Sequence, residues 1–398
     1  MKRSILLLIV LINLATLVEA QWIITNGPDS GGIVSGIAIN GTNIFATTND
    51  KGVFLSTNAT NWSIMDNGLT DSNIYSLAIN SGTLFAGSSH SGVFLSTDNG
   101  ISWTPSNNGS TATFIYTLTV NNGIIYAGTD QGMFISANNG TSWTAANEGA
   151  LYDVYAIALK DSNIFEGTYT NNVLLSTNNG ASWTSVGNGL PNASINALAI
   201  IDSNILAGTN GLGVYRSTNN GASWTLMSNG LPTGANIWAF AVSGNYIYAA
   251  TIGNGVYISS NYGANWVAVN TGLDVAYMNI YSLTISGSTI YAGTNNGYVW
   301  KRSLSEIITA GINETNNNNE ISIYPNPVKE NLTIVNKKSI NQNYTITIKT
   351  IQGQEVLSKN IKLANTYNMD VSSLANGIYI LTLQNERTQI VEKVIVQH

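Results

Sequence analysis

The chain has 398 residues, 38 of them glycine, with 15 Lys and Arg against 21 Asp and Glu, two histidines and no cysteine. Without cysteine, disulfides, zinc-thiolate sites and thiol nucleophiles are excluded, and His90 and His398 alone offer too little imidazole for a multi-His metal centre or a His-based triad. Acid is concentrated in residues 21–320, which hold five Lys and Arg against fifteen Asp and Glu, whereas residues 321–398 hold eight against five; an acidic body excludes a nucleic-acid partner, whose phosphates need a basic face.

Met1-Lys2-Arg3, the apolar run from Ile5 to Val18 and the small-residue site at Ala20 form the three parts of a secretory signal, so removal of residues 1–20 is expected. That run is short for a membrane-spanning helix, which needs roughly 20 apolar residues, and no later segment approaches the length. No transmembrane segment is therefore expected, and the exported chain is expected to be soluble and monomeric.

From Trp22 onward the sequence repeats. Trp22, Trp62, Trp103, Trp143, Trp183, Trp224 and Trp266 are separated by 40 to 42 residues, a period typical of propeller blades. Each unit runs from Trp through a turn such as "NGL" to an alternating stretch such as Ile74–Ile79. A second run such as "IYAGT" and a third such as "GVFLS" follow. Alternation punctuated by Gly and Asn predicts four short strands per unit and no helix. The third-strand signature recurs seven times, from Gly52-Val53-Phe54 to Gly297-Tyr298-Val299. Since the last unit lacks a tryptophan strand and Trp22 has no unit before it, Trp22–Thr25 is predicted to close a seven-bladed ring over residues 21–303.

The recurring stretch between the third run and the next Trp has the pattern S-x-D-x-G-x-x-W. It occurs as Ser96-Asp98-Gly100-Trp103, with Asn138, Asn178, Asn219 and Asn261 in the Asp slot of the copies ending at Trp143, Trp183, Trp224 and Trp266. The first copy, Ser56 to Trp62, is one residue short and lacks the glycine. This resembles the Asp-box, or bacterial neuraminidase repeat, of sialidase-like propellers, and photosystem II assembly factors have similar repeats. The resemblance implies a box on the rim opposite the ligand. The residues support a structural role: an Asx side chain caps backbone N–H groups, glycine tolerates positive φ, and tryptophan pins the turn. Four Asn in five copies do not suit acid–base chemistry.

After Ser303 the pattern stops, and Leu304–Glu320, ending in an Asn run, reads as a linker. Strand-like alternation returns at Tyr344–Thr350, Glu355–Ile361, Ile378–Leu383 and Ile390–Val396, enough for a small Ig-like β-sandwich over residues 321–398. Tyr324-Pro325-Asn326-Pro327, Gly353, Asp370 to Leu374, Gly377-Ile378-Tyr379 and Lys393-Val394 resemble the C-terminal type A sorting domain of the type IX secretion system of Bacteroidetes. The resemblance implies the secretion machinery as a partner of 321–398, passage across the outer membrane, and release or attachment at the surface.

Chemistry is harder to find. A sialidase holds its substrate carboxylate with three arginines, and the propeller has only Arg216 and Arg302, so that activity is excluded. A glycoside hydrolase of the xyloglucanase type, also built on Asp-box propellers, needs two carboxylates on one cleft. By propeller geometry Asp153, Glu166 and Asp130 belong to the ligand-facing side, with Tyr152 and Tyr169 beside them. Glu166 stands where the other units have Ala46, Ala86, Ala127, Ala207, Ala249 and Ala292, so its carboxyl is expected to be partly buried with a raised pKa. The second position of the first strand runs Ser35, Tyr75, Tyr116, Tyr155, Asn196, Trp238 and Tyr281. These aromatics suit either sugar and peptide binding at a channel mouth or packing between blades. No phosphate-cradling loop or Asp-rich calcium loop is present, so no cofactor or metal is expected. The leading expectation is a non-enzymatic module that binds an extracellular glycan or protein; the alternative is the glycoside hydrolase.

Overall fold

Runs of five to seven residues rich in β-branched and aromatic side chains, cut by Gly and Asn at positive φ, favour pleated hairpins over helices. The computed structural model describes residues 21–29, 31–147, 152–170, 172–311, 321–336, 342–350, 353–385 and 389–398. The expected signal over 1–20 and the Asn run within 312–320 lie outside them. Seven four-stranded antiparallel sheets form the blades. Their innermost strands are Val34–Asn40, Ile74–Asn80, Ile115–Asn121, Val154–Lys160, Ile195–Ile201, Ile237–Ser243 and Ile280–Ser286, which define blades 1 to 7. Blade 7 takes its outer strand from the start of the described chain: Ile23–Pro28 pairs antiparallel with Tyr298–Ser303, matching Ile23 with Lys301 and Ile24 with Trp300. Across the seam between blades 7 and 1, Ser282 Oγ donates to the Val34 carbonyl at 3.0 Å and Thr284 Oγ1 to that of Ile37 at 2.7 Å.

The box turns explain how blades hold together. In all five full copies the serine Oγ accepts from the glycine N–H, at 2.8 Å for Ser96 and 2.9 Å for Ser136. The Asx Oδ1 accepts the N–H four residues on, at 2.9 Å for Asp98 and 3.0 Å for Asn138. Residues 99 and 100 both have positive φ, 58° and 84°, a pair that glycine and asparagine accept with little strain. Each tryptophan then reaches out of its own blade. Trp103 Nε1 donates to Met65 O at 2.9 Å, Trp143 to Ser106 O at 2.7 Å and Trp266 to Met227 O at 2.8 Å, every acceptor being the residue just after the preceding blade's outer strand. Trp22 makes the same bond to Val269 O at 2.7 Å, and Trp62 bonds to Thr25 O at 3.2 Å, so the stitching runs round the whole ring.

One expectation needs correction. The first part of the expected linker is a helix, Leu304–Gly311, whose Leu304 and Ile307 are buried with Trp22, Val269 and Trp300. Eight residues are too few to hold a helix in water; Leu304 and Ile307 hold this one against the seam where Trp22 closes the ring, which a local reading of composition does not see.

The C-terminal unit has a three-stranded sheet, Ile321–Tyr324, Asn331–Asn336 and Thr366–Asp370, and a four-stranded one, Gln342–Thr350, Glu355–Leu363, Gly377–Gln384 and Gln389–Val396. Leu332, Ile334, Ile346, Ile348, Leu381 and Leu383 are fully buried in one shared core. Between the first two strands, Asn326 Oδ1 accepts from Ile395 N–H at 2.8 Å, which ties the Tyr324–Pro327 turn to the last strand. Lys393 lies on that strand opposite Ile380, and the Gly377 position starts the strand beside it.

Candidate functional site

The innermost strands share an irregularity that builds the channel mouth. In all seven blades the register slips between the first and third residues, as between Ile115 and Thr117 or Val154 and Ala156, leaving the second residue unpaired. Such a bulge re-aims a side chain. The first residue, such as Val34, Val154 or Ile237, is fully buried between blades. The second, Ser35, Tyr75, Tyr116, Tyr155, Asn196, Trp238 or Tyr281, lines the central channel. The channel encloses about 690 Å³. Below the bulged residues it is walled by Ile37, Leu77, Leu118, Ile157, Leu198 and Leu283, and among the described residues no carboxylate, lysine or arginine lines it.

The aromatics at the mouth form an arc across blades 2 to 4. Tyr75 lies 4.7 Å from Phe114, Phe114 stacks on Tyr116 at 4.3 Å, Tyr116 meets Tyr155 edge-on at 4.7 Å, and Tyr155 lies 5.9 Å from Tyr169. On the far side Trp238 and Tyr281 meet edge-on at 5.4 Å. These rings are not sealed between blades: Tyr169 is 54% and Trp238 40% exposed. Between the two groups, Asn196 Nδ2 donates to Asn236 Oδ1 at 3.2 Å and Asn210 joins the lining.

The three candidate carboxylates separate. Asp153 immediately precedes the blade 4 inner strand, and Asp130 follows the second strand of blade 3. Both are half-buried. Asp130 accepts from Phe114 N–H at 3.3 Å and Thr113 Oγ1 at 3.4 Å. Burial and repulsion from Asp130 raise the Asp153 pKa, and a hydrogen bond from the Tyr116 hydroxyl offsets part of the rise. Burial first, and then the Asp153 charge, push the Tyr116 phenol up in turn.

Glu166 lies elsewhere, and this corrects the expectation that it faces the ligand side. It is fully buried at the position where alanines pack on the preceding blade, as Ala127 does beside Val93 and Ala207 beside Val173. Its Oε2 accepts from the Tyr152 hydroxyl at 3.0 Å, while among the described residues Oε1 has no hydrogen-bond partner. Burial lifts its pKa to about 8, with the Tyr152 bond pulling the other way. Tyr152 is thereby turned inward, away from the rim patch to which sequence assigned it.

Other polar groups are accounted for. Arg216 Nη1 donates to Tyr262 O at 3.2 Å and Arg302 Nη1 to Val269 O at 2.8 Å, so both arginines serve the frame. Ser89, His90 and Asp71 meet at the rim of blade 2, with Ser89 Oγ against His90 Nδ1 and 3.3 Å from Asp71 Oδ2, which lies 3.6 Å from the same ring nitrogen. A proton relay needs the nucleophile hydroxyl and the orienting carboxylate on opposite nitrogens of the imidazole, and here Ser89 and Asp71 both crowd Nδ1. Among the described residues no group of three or more His, Cys, Asp or Glu is placed to hold a metal. Sequence reasoning missed Phe114, Asn236 and this cluster; Phe114 was detectable only as the residue directly before an inner strand whose other copies carry Ile33, Asn73 and Ser194.

Residues 322–397 match the family of secretion system C-terminal sorting domains. No curated protein matches the chain. Solved structures similar to it include YCF48 from Cyanidioschyzon merolae, 15% identical with a TM-score of 0.57, covering 71% of this chain and 99% of that one. A YCF48 bound to D1 peptide is 14% identical with a TM-score of 0.57, covering 71% and 96%. The GH74 xyloglucanase from Xanthomonas campestris is 18% identical with a TM-score of 0.54, covering 72% of this chain but 54% of that one. At such identities the likeness shows the fold. The helices among the described residues include none long and apolar enough to cross a membrane. The stitched boxes, the closed ring and the matched C-terminal sandwich together make the chain a seven-bladed Asp-box β-propeller with a type IX secretion sorting domain, secreted or held at the cell surface.

Proposed function

We propose that the propeller is a non-catalytic binding module whose extracellular ligand, a glycan or a protein segment, seats in the aromatic mouth of the channel. The observation that carries this reading is the set of bulged side chains: five of the seven blades place an aromatic ring there, and these converge on a half-exposed rim above a cavity of about 690 Å³ that no charged side chain among the described residues lines. Ligand pockets of this size are largely apolar with a few placed polar groups. Fold supports both readings equally, since one similar propeller is recorded with a peptide and another is a xyloglucanase. What favours binding is Glu166: the best acid candidate by pKa is sealed between blades and lines no part of the channel.

The test is to offer the protein a panel of polysaccharides and peptides, scoring both retention and new reducing ends. Retention without cleavage is expected. Trp238→Ala, which removes an exposed ring, is expected to weaken retention at least tenfold, about 1.4 kcal/mol, with stability within about 1 kcal/mol of the parent. Cleavage abolished by Asp153→Asn would establish the hydrolase instead.

A further inference from the structure

The mouth is electrically lopsided. Asp130 and Asp153 both stand at the rim beside the aromatic arc, one on blade 3 and one on blade 4, close enough for each to repel the other. Among the described residues neither carboxylate has a lysine, arginine or histidine within 4.0 Å; His90 pairs with Asp71 on blade 2 instead. Around the two carboxylates lie the rings of Phe114, Tyr116, Tyr155 and Tyr169. Ring faces are electron-rich, and a cation within about 6 Å of a ring centroid is held by roughly 0.5–2 kcal/mol, more as water is excluded. A cation placed there also relieves the repulsion between the two carboxylates, whereas an anionic ligand, such as a uronic acid or a sulfated sugar, adds to it.

Resting on the reading of the mouth as a binding site, we propose that its blade 3–4 sector is a subsite for a lysine or arginine side chain, and that the ligand is an extended peptide segment of another protein. Two features select a peptide over a cationic sugar, and a third argues against a bare calcium ion. The channel wall directly below the mouth is aliphatic, formed by Leu77, Leu118, Ile157 and Leu198, and suits an apolar side chain next to the basic one. Across the mouth, the Asn196 and Asn236 amides present the donor and acceptor pattern of a peptide group. Nor do two carboxylates supply the six to eight oxygens that a calcium ion takes.

The probes are capped pentapeptides Gly-Leu-X-Leu-Gly, with X as Lys, Arg, Gln or Glu, titrated into the whole protein while the heat of binding is recorded. The Lys and Arg peptides are expected to bind at least tenfold more tightly than the Gln peptide, the Glu peptide more weakly still, and the advantage should shrink as salt rises. In the double variant Asp130→Asn and Asp153→Asn the Lys to Gln ratio should fall below threefold; each single variant, which keeps a hydrogen-bonding isostere, checks that folding is not the cause. Equal binding of Lys and Gln peptides, or a ratio that survives the double variant, would overturn the cation subsite while leaving the mouth as a binding site. Binding of chitosan oligosaccharides, sensitive to the same variants, in place of all peptides would overturn the peptide assignment. If peptides and polysaccharides alike bind without responding to Trp238→Ala and Tyr155→Ala, the mouth itself is not the site and the underlying reading falls.

Discussion

The two rims of the ring follow opposite plans. On the box rim, five turns are nearly superimposable in their hydrogen bonds, down to the serine Oγ, the Asx Oδ1 and the tryptophan Nε1. At the channel mouth the same backbone bulge carries four residue types, Tyr75, Tyr116, Tyr155 and Tyr281 beside Ser35, Asn196 and Trp238, and the residues around it differ from blade to blade. A shared backbone with constant side chains marks what every blade needs to stand beside its neighbour. A shared backbone with divergent side chains marks where blades are free to specialise, and where recognition belongs.

That contrast can be tested from its strongest consequence downward. Trp22→Ala removes a buried ring and its bond to Val269, and should lower stability by about 3–5 kcal/mol, read as the denaturant midpoint; a loss below about 1 kcal/mol would mean that the ring is closed by something else. Glu166 offers the next largest effect. Its carboxyl is neutral in both folded and unfolded chains well below pH 4.5, but between there and about pH 8 only the folded chain keeps the proton. Stability should therefore fall as pH rises through this window, by on the order of a few kcal/mol, and level off above it. Glu166→Gln, which retains an acceptor for Tyr152, should flatten the Tm against pH curve and leave ligand binding unchanged. A parallel slope in parent and variant would place the titration elsewhere.

The smallest effect is predicted for Asp98. Hydrogen bonds from the Ser102 hydroxyl and N–H, and then from Ser96, pull its carboxyl down to about 2. Its contribution is present above its ordinary value of 3.8 and is lost as pH falls through about 2. Asp98→Asn should thus leave the denaturant midpoint at neutral pH unaltered, as four other boxes carry Asn, and remove a small part of the acid-side loss. A clear defect at neutral pH would contradict the purely structural role of the box.

Much of this was readable beforehand because repetition amplifies weak signals. One tryptophan every 40 to 42 residues, a Gly-Val-Phe signature and an orphan strand at Trp22 suffice to count blades and find the closure. The aromatic column was visible for the same reason. What stayed hidden depends on register and on distant partners. The bulge that turns the second residue into the channel needs the pairing of Ile115 with Thr129 and Thr117 with Gly128. That Glu166 faces blade 3 follows from which side of the second strand meets its neighbour, since period-2 alternation fixes two faces without saying which is which. The helix Leu304–Gly311 exists only because Trp22 and Trp300 offer it a surface.

The seam has a last consequence, for how the ring comes apart. Trp22 and Val269 meet from 247 residues away, so blade 7 is complete only when both ends of the propeller have arrived. In an open solenoid the end repeats fray and the middle persists, because each unit answers only to its neighbours. A ring stitched through every blade, with the first strand locked into the last sheet, has no end unit to fray. It should melt in one cooperative step, and a nick or truncation at the seam should loosen all seven blades together.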